Sequence, residues 1–155
     1  MLTDKPFPTG SYRFRSYVPT ERAWGRELGW LEDQGERVEP HGKKLYTKPV
    51  VVLSSPATFS AAEDFLIGLE SMRRGKIIGE PSGGSTGQPL VFSLPGGGSA
   101  RVCTKQDMYP DGREWVGKGI QPDIVVRHTA ADVRAGRDTV LEAAIDDMKR
   151  QLAMK

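Results

Sequence analysis

Cysteine is all but missing from this chain. Cys103 is the single one among 155 residues, so no internal disulfide can form and no cysteine cluster is available to a metal. Histidine is nearly as scarce. His41 and His128 stand far apart in unlike contexts, and no metal site is expected. No apolar run reaches the ~18 residues that a membrane-spanning helix needs, and the start shows no signal-peptide core. The compartment is therefore not readable from the residues. An excess of one charge is lacking too: 22 basic and 20 acidic residues leave a net +2 with no basic stripe, which makes nucleic acid a poor partner.

What is present is turn-rich and modestly apolar. Hydrophobic residues make up 37%, with 18 glycines and 11 prolines, and the length suits one core. Residues 1–47 read as an irregular arm or insertion, because so much chain without strong periodicity often marks a lid or binding loop. Within it, Tyr12 to Val18 alternates aromatic and basic residues as a strand would. Trp24, Trp30, Tyr12 and Tyr17 either bind a peptide or cover a core, and composition does not choose between them.

Residues 48–155 are more regular and read as one folded unit. Val50–Leu53 has the pattern of a buried strand. A helix near residues 61–74 follows, with Phe65, Leu66, Leu69 and Met72 on its inner face. Gly75 stops it before a strand at Lys76–Gly79, giving a strand–helix–strand crossover and a parallel pair. A glycine-rich loop leads to two strand-like runs, Leu90–Leu94 and Ala100–Lys105, joined by Pro95–Gly98 as a hairpin turn. A last helix starts at Asp138, a fitting N-cap, with Val140, Leu141, Ala144, Ile145 and Met148 facing inward. The fold class is α/β.

The chemistry centres on Ser60. A strand, a turn of small residues, a serine and then a helix expose a hydroxyl at a helix N-terminus, where free N–H groups and the dipole favour negative charge. Serine before a helix is most often a cap. Here Ala61 and Ala62 leave the hydroxyl uncrowded, and the Ala61 N–H is placed to donate to an oxyanion. Glu63, three residues on, is explained as the partner in a capping box. The loop Gly83, Gly84 and Ser85 is a candidate wall of the same cleft and offers backbone N–H groups to an anion. It lacks the Lys-Ser/Thr ending of a phosphate loop, so no nucleotide or other cofactor is expected. Glu114 reads first as a solvated turn charge and second as a carboxylate orienting a base. His41 and His128 read as surface histidines before general bases.

Four segments in order, Lys48-Pro-Val-Val-Val-Leu, Phe59-Ser-Ala-Ala-Glu-Asp, Gly79-Glu-Pro-Ser-Gly-Gly and Gly117-Lys-Gly-Ile-Gln-Pro-Asp-Ile, resemble the C-terminal processing (tail-specific) serine peptidases. The resemblance covers about residues 48–150. It implies a ClpP/crotonase-like spiral of strand–strand–helix units, with Ser60 as nucleophile and a polypeptide as substrate. An exported location and a homo-oligomer are within the same expectation.

The chain departs from that pattern at the general-base lysine, whose position holds Ser85, so a Ser–Lys dyad using that position is excluded. The wording around Ser60 and Gly83 looks closer to the branch containing the tricorn core and the interphotoreceptor retinoid-binding modules. Tricorn uses a Ser-His-Glu arrangement with an upstream histidine, and the retinoid-binding modules bind apolar ligands without proteolysis. The Asp-x-Arg-x-Asn-x-Gly-Gly stretch that completes the family's oxyanion hole is not found, and the chain reads as the C-terminal part of a longer peptidase domain. The leading expectation is a serine endopeptidase segment whose base is a histidine supplied from upstream. The alternative is an inactive relative holding a hydrophobic ligand or peptide. A crotonase-like acyl-CoA enzyme ranks third.

Overall fold

A computed structural model describes residues 1–154. Its centre is a three-stranded parallel sheet of β5 (Val51–Ser54), β6 (Lys76–Gly79) and β10 (Ile124–Val125), in the order β10-β6-β5. The register runs Val51 to Lys76 and Ser54 to Gly79 on one side of β6, and Ile124 to Ile78 on the other. Helix α2 (Ala61–Ser71) makes the crossover from β5 to β6, as the apolar spacing predicts. The pairing is parallel, and the helix supplies the long crossover that a parallel pair needs.

Alternation along β6 sends Ile77 and Ile78 to opposite faces. Ile77 joins Leu66, Ile67 and Leu69 of α2 with Tyr109, Trp115 and Ile120 in the main core. On the sheet's other side α4 (Thr139–Ala153) packs against β5 and β6, burying Val140 and Ala144. A buried carboxylate secures that contact, since Lys76 Nζ donates to Asp147 Oδ1 at 2.8 Å and Gln151 Nε2 donates to Oδ2. The Lys76 bond, then the Gln151 bond, holds the Asp147 carboxyl below the usual range.

Two inner faces differ from the expected ones. Phe65 is 48% exposed, while Ile67 takes the buried place beside Leu66. At 100° per residue, Glu63, Leu66 and Ile67 define the inward direction, and Phe65 lies roughly 150° from it, on the outer side. In α4 the stripe Leu141–Ile145 likewise lies outside, one residue round from Val140 and Ala144. The start of α4 is as expected: Asp138 caps it, accepting from the Leu141 N–H at 2.9 Å. Asp138→Ala is expected to cost about 1 kcal/mol, seen as a Tm lower by about 2–4 °C in a calorimetric scan. An unchanged Tm would mean the cap contributes nothing.

Residues 1–47 are more ordered than expected. They carry β1 (Phe7–Pro8), β2 (Ser11–Arg15), the short helix α1 (Pro19–Ala23), β3 (Trp30–Asp33) and β4 (Arg37–Val38). Strand β2 is the middle of an antiparallel sheet, between β3 and β9 (Gln106–Met108), and β1 pairs with β4. The alternating side chains of β2 stack: the Arg13 and Arg15 guanidinium groups lie 4.6 and 4.1 Å from the Trp30 ring centre. Arg74, just past α2, donates to the carbonyls of Leu2, Tyr46 and Lys48 and ties both ends of this segment to the helix. The remaining elements are the antiparallel hairpin β7 (Leu90–Ser93) and β8 (Ser99–Val102), turning through Pro95–Gly97 as predicted, and the short helix α3 (Ala130–Arg134).

Candidate active site

The turn from β5 to α2 decides what Ser60 is. Ser60 has φ 60° and ψ −129°, a left-handed conformation that only glycine adopts freely. Its side chain makes no cap hydrogen bond; the Glu63 N–H goes instead to the Ser60 carbonyl at 2.7 Å. The hydroxyl is therefore exposed and uncommitted at the helix start, where a strained backbone marks a candidate reactive residue. Among the described residues the Ala61 N–H has no backbone acceptor, so it is free to donate beside that hydroxyl.

Glu63 holds the surroundings together. It is 0% exposed, and its carboxylate accepts four hydrogen bonds: from Ser60 N (2.9 Å), Ser82 Oγ (2.5 Å), Gly84 N (2.6 Å) and Ser85 N (3.2 Å). The bond from Ser60 N is the capping-box half that the sequence suggests. The other three join the helix start to the glycine loop. Ser82 passes the connection on, its Oγ accepting from the Ile120 N–H at 2.6 Å.

The glycine loop thus lies against the Ser60 turn, with its donors engaged. Gly83 N donates to the Thr58 carbonyl at 2.8 Å, and the Ser85 carbonyl accepts from Ser60 N at 2.9 Å. The anion this loop cradles is the protein's own Glu63. Glycine is required at position 84: φ is +66°, and a Cβ there would lie 2.6 Å from Gly119 N. That contact is with the third loop, residues 115–120, whose Gly117 N–H donates to the Gly84 carbonyl at 2.8 Å.

Other candidates lie elsewhere. Glu114 enters the third loop, but its carboxylate faces Arg13 (3.3 Å). His128 faces Asp138 at 3.6 Å, and His41 lines a groove on the outer side of α2. Neither histidine is hydrogen-bonded to Ser60 among the described residues. Ser85, in the place of the family lysine, is exposed and contacts Ser60 through its backbone. No group of three or more His, Cys, Asp or Glu residues placed to hold a metal occurs among the described residues. No described helix is long and apolar enough to cross a membrane.

The strand–turn–serine–helix unit, the glycine loop and the third loop all fall within residues 11–126, the span matched by the model of peptidase family S41. The chain belongs to peptidase family S41. A curated relative, the carboxy-terminal-processing protease of Bartonella bacilliformis, is 34% identical over 94 residues, covering 61% of this chain and 22% of its own length. This S41 chain thus spans about a fifth of that relative. A candidate peptidase from Parabacteroides merdae superposes with a TM-score of 0.73 at 25% identity, over 95% of this chain and 44% of that one. Mature CPAF complexed with lactacystin gives 0.75 at 19% identity, over 99% and 40% respectively, a likeness of fold. The α/β class and the C-terminal processing resemblance are thereby borne out, over part of the solved peptidase domains.

Sequence reasoning missed what Glu63 does. A capping box accounts for a glutamate at this position without any partner beyond the helix, so nothing local announced the loop contacts. A usable signal was present, since Ser82-Gly-Gly supplies a hydroxyl and unhindered N–H donors to any acceptor the crossover brings near.

Proposed function

We propose that this S41 chain carries the nucleophile of a serine peptidase. The observation that carries the reading is the left-handed, uncapped Ser60 at the start of α2. Ser60 Oγ attacks a peptide carbonyl carbon and its proton passes to a base. The oxyanion is held in part by the Ala61 N–H, and the loop Gly83–Ser85 walls the cleft. Collapse breaks the C–N bond, the amine leaves with the proton, and water then hydrolyses the acyl ester on Ser60. The base is a histidine outside this sequence, as the resemblance implies, because Ser85 stands where the family lysine would be. The exported location is part of the same proposal and rests on resemblance alone.

A phosphonate probe for reactive serines, followed by peptide mass spectrometry, is expected to place its adduct on Ser60 and to find none in Ser60→Ala. An adduct on another serine, or labelling that survives the substitution, would overturn the assignment. The absence of a bonded base supports one other reading, a family member that binds an apolar ligand or peptide without cleaving it. Binding of a fluorescent apolar ligand by a protein that takes no probe at all would favour that reading.

A further inference from the structure

The outer flank of α2 forms one wall of a groove of about 760 Å³, closed on the other sides by the first strands of the chain and by β9. Phe7, Phe65 and Met72 give it apolar surface. Its charge is one-sided: Asp33, Glu36, Glu39, Asp64 and Asp107 line it, against Lys105 and His41. Lys105 is already engaged, donating to Asp107 Oδ1 at 2.6 Å with its ammonium 4.3 Å from the Tyr12 ring centre. Asp107 is 6% exposed, and its second oxygen, Oδ2, has no hydrogen-bond partner among the described residues. A buried carboxylate oxygen without a donor is costly and rare. Burial, and then the neighbouring Asp107, pushes the Asp64 carboxyl above its ordinary value, as expected where negative charge is short of cations.

We infer that this groove holds a polypeptide segment with a Lys or Arg side chain between apolar residues, the cation being received by Asp107 Oδ2 and Asp64. Charge complementarity selects the cation, and the apolar wall selects its neighbours. A polypeptide is the occupant because the inference rests on the peptidase reading and deepens it. Asp64 lies four residues after Ser60 on one helix, about 6 Å along the axis at 1.5 Å per residue. A segment seated here is thereby presented next to the nucleophile, so the groove sets a preference for basic–apolar substrates.

The test separates binding from cleavage. Fluorescence anisotropy with Ser60→Ala protein is read for three short labelled peptides, identical except for Lys, Gln or Glu at the centre of an apolar stretch. The Lys peptide is expected to bind at least about tenfold more tightly than the Gln peptide, with the Glu peptide weakest. Asp107→Asn is expected to remove most of that difference. Since Asp107 also anchors Lys105, Asp64→Asn and Phe65→Ser on the exposed flank of α2 serve as second variants, each checked for an intact fold by circular dichroism. Equal binding of the three peptides, or no binding, overturns the inference, as does self-association that Phe65→Ser abolishes in a protein that binds no peptide. Hydrolysis by protein retaining Ser60 is measured separately. Cleavage without a preference for the Lys peptide leaves the peptidase reading standing and removes the groove's role. Selective binding without any cleavage does the reverse.

Discussion

Glu63→Ala is expected to lower stability by about 3–5 kcal/mol, because each buried donor left without an acceptor costs about 1–3 kcal/mol. Three donors lose their acceptor at once, the N–H groups of Gly84 and Ser85 and the Ser82 hydroxyl, while the Ser60 N–H keeps only its bond to the Ser85 carbonyl. Water cannot readily replace it, because the side chain is fully buried. Glu63→Gln keeps the shape and one acceptor oxygen, but turns an NH2 group towards donors that need an acceptor. A smaller loss of about 2 kcal/mol follows. Urea titrations of the three proteins measure both values, and a loss under about 1 kcal/mol for the alanine variant would contradict the account. The same variant is expected to lose reaction with a serine probe even where it remains folded, since Glu63 fixes the glycine loop against the Ser60 turn.

The contrast between Glu63 and Ser60 shows what the residues told in advance. The strand, crossover helix and second strand were legible, because apolar runs of the right length were bounded by Pro49, by the small residues of the turn and by Gly75. The hairpin turn and the Asp138 cap were legible for the same local reasons. Contacts made at long range were not. The pairing of β2 with β9 joins residues more than ninety positions apart, such as Ser11 with Met108, and no pattern within residues 1–47 discloses it. The two sides of a helix flank were also beyond reach, since Phe65 and Ile67 are equally apolar in sequence and only the neighbouring sheets decide which is covered. At the candidate site, Ser60 was singled out by its place before a helix, but its backbone geometry was hidden. Positive φ is usually announced by glycine, and Phe-Ser-Ala contains none.

That hidden geometry makes a prediction with opposite signs for stability and activity. A non-glycine residue in such a region costs of order 1–3 kcal/mol, and glycine relieves it while adding about 0.5–1 kcal/mol of chain entropy to the unfolded state. Ser60→Gly is therefore expected to stabilise the fold by about 1 kcal/mol, a rise in Tm of about 2–4 °C. Ser60→Ala keeps both the strain and the Cβ, so its Tm should stay within about 1 °C of the parent, in line with a surface substitution that touches no partner. Both variants lose the Ser60 hydroxyl, and under the proposed function the rate should fall by about 10⁶-fold wherever the parent hydrolyses peptide, the loss found on removing a serine nucleophile. Differential scanning calorimetry and a peptide-hydrolysis assay on the same preparations read the two effects together. A lower Tm for the glycine variant would show that the backbone of Ser60 is not strained. A gain in Tm with hydrolysis intact would show that the strain has nothing to do with a nucleophile. Gain and loss together tie the conformation to the chemistry, because a fold under no other demand would place glycine at this position.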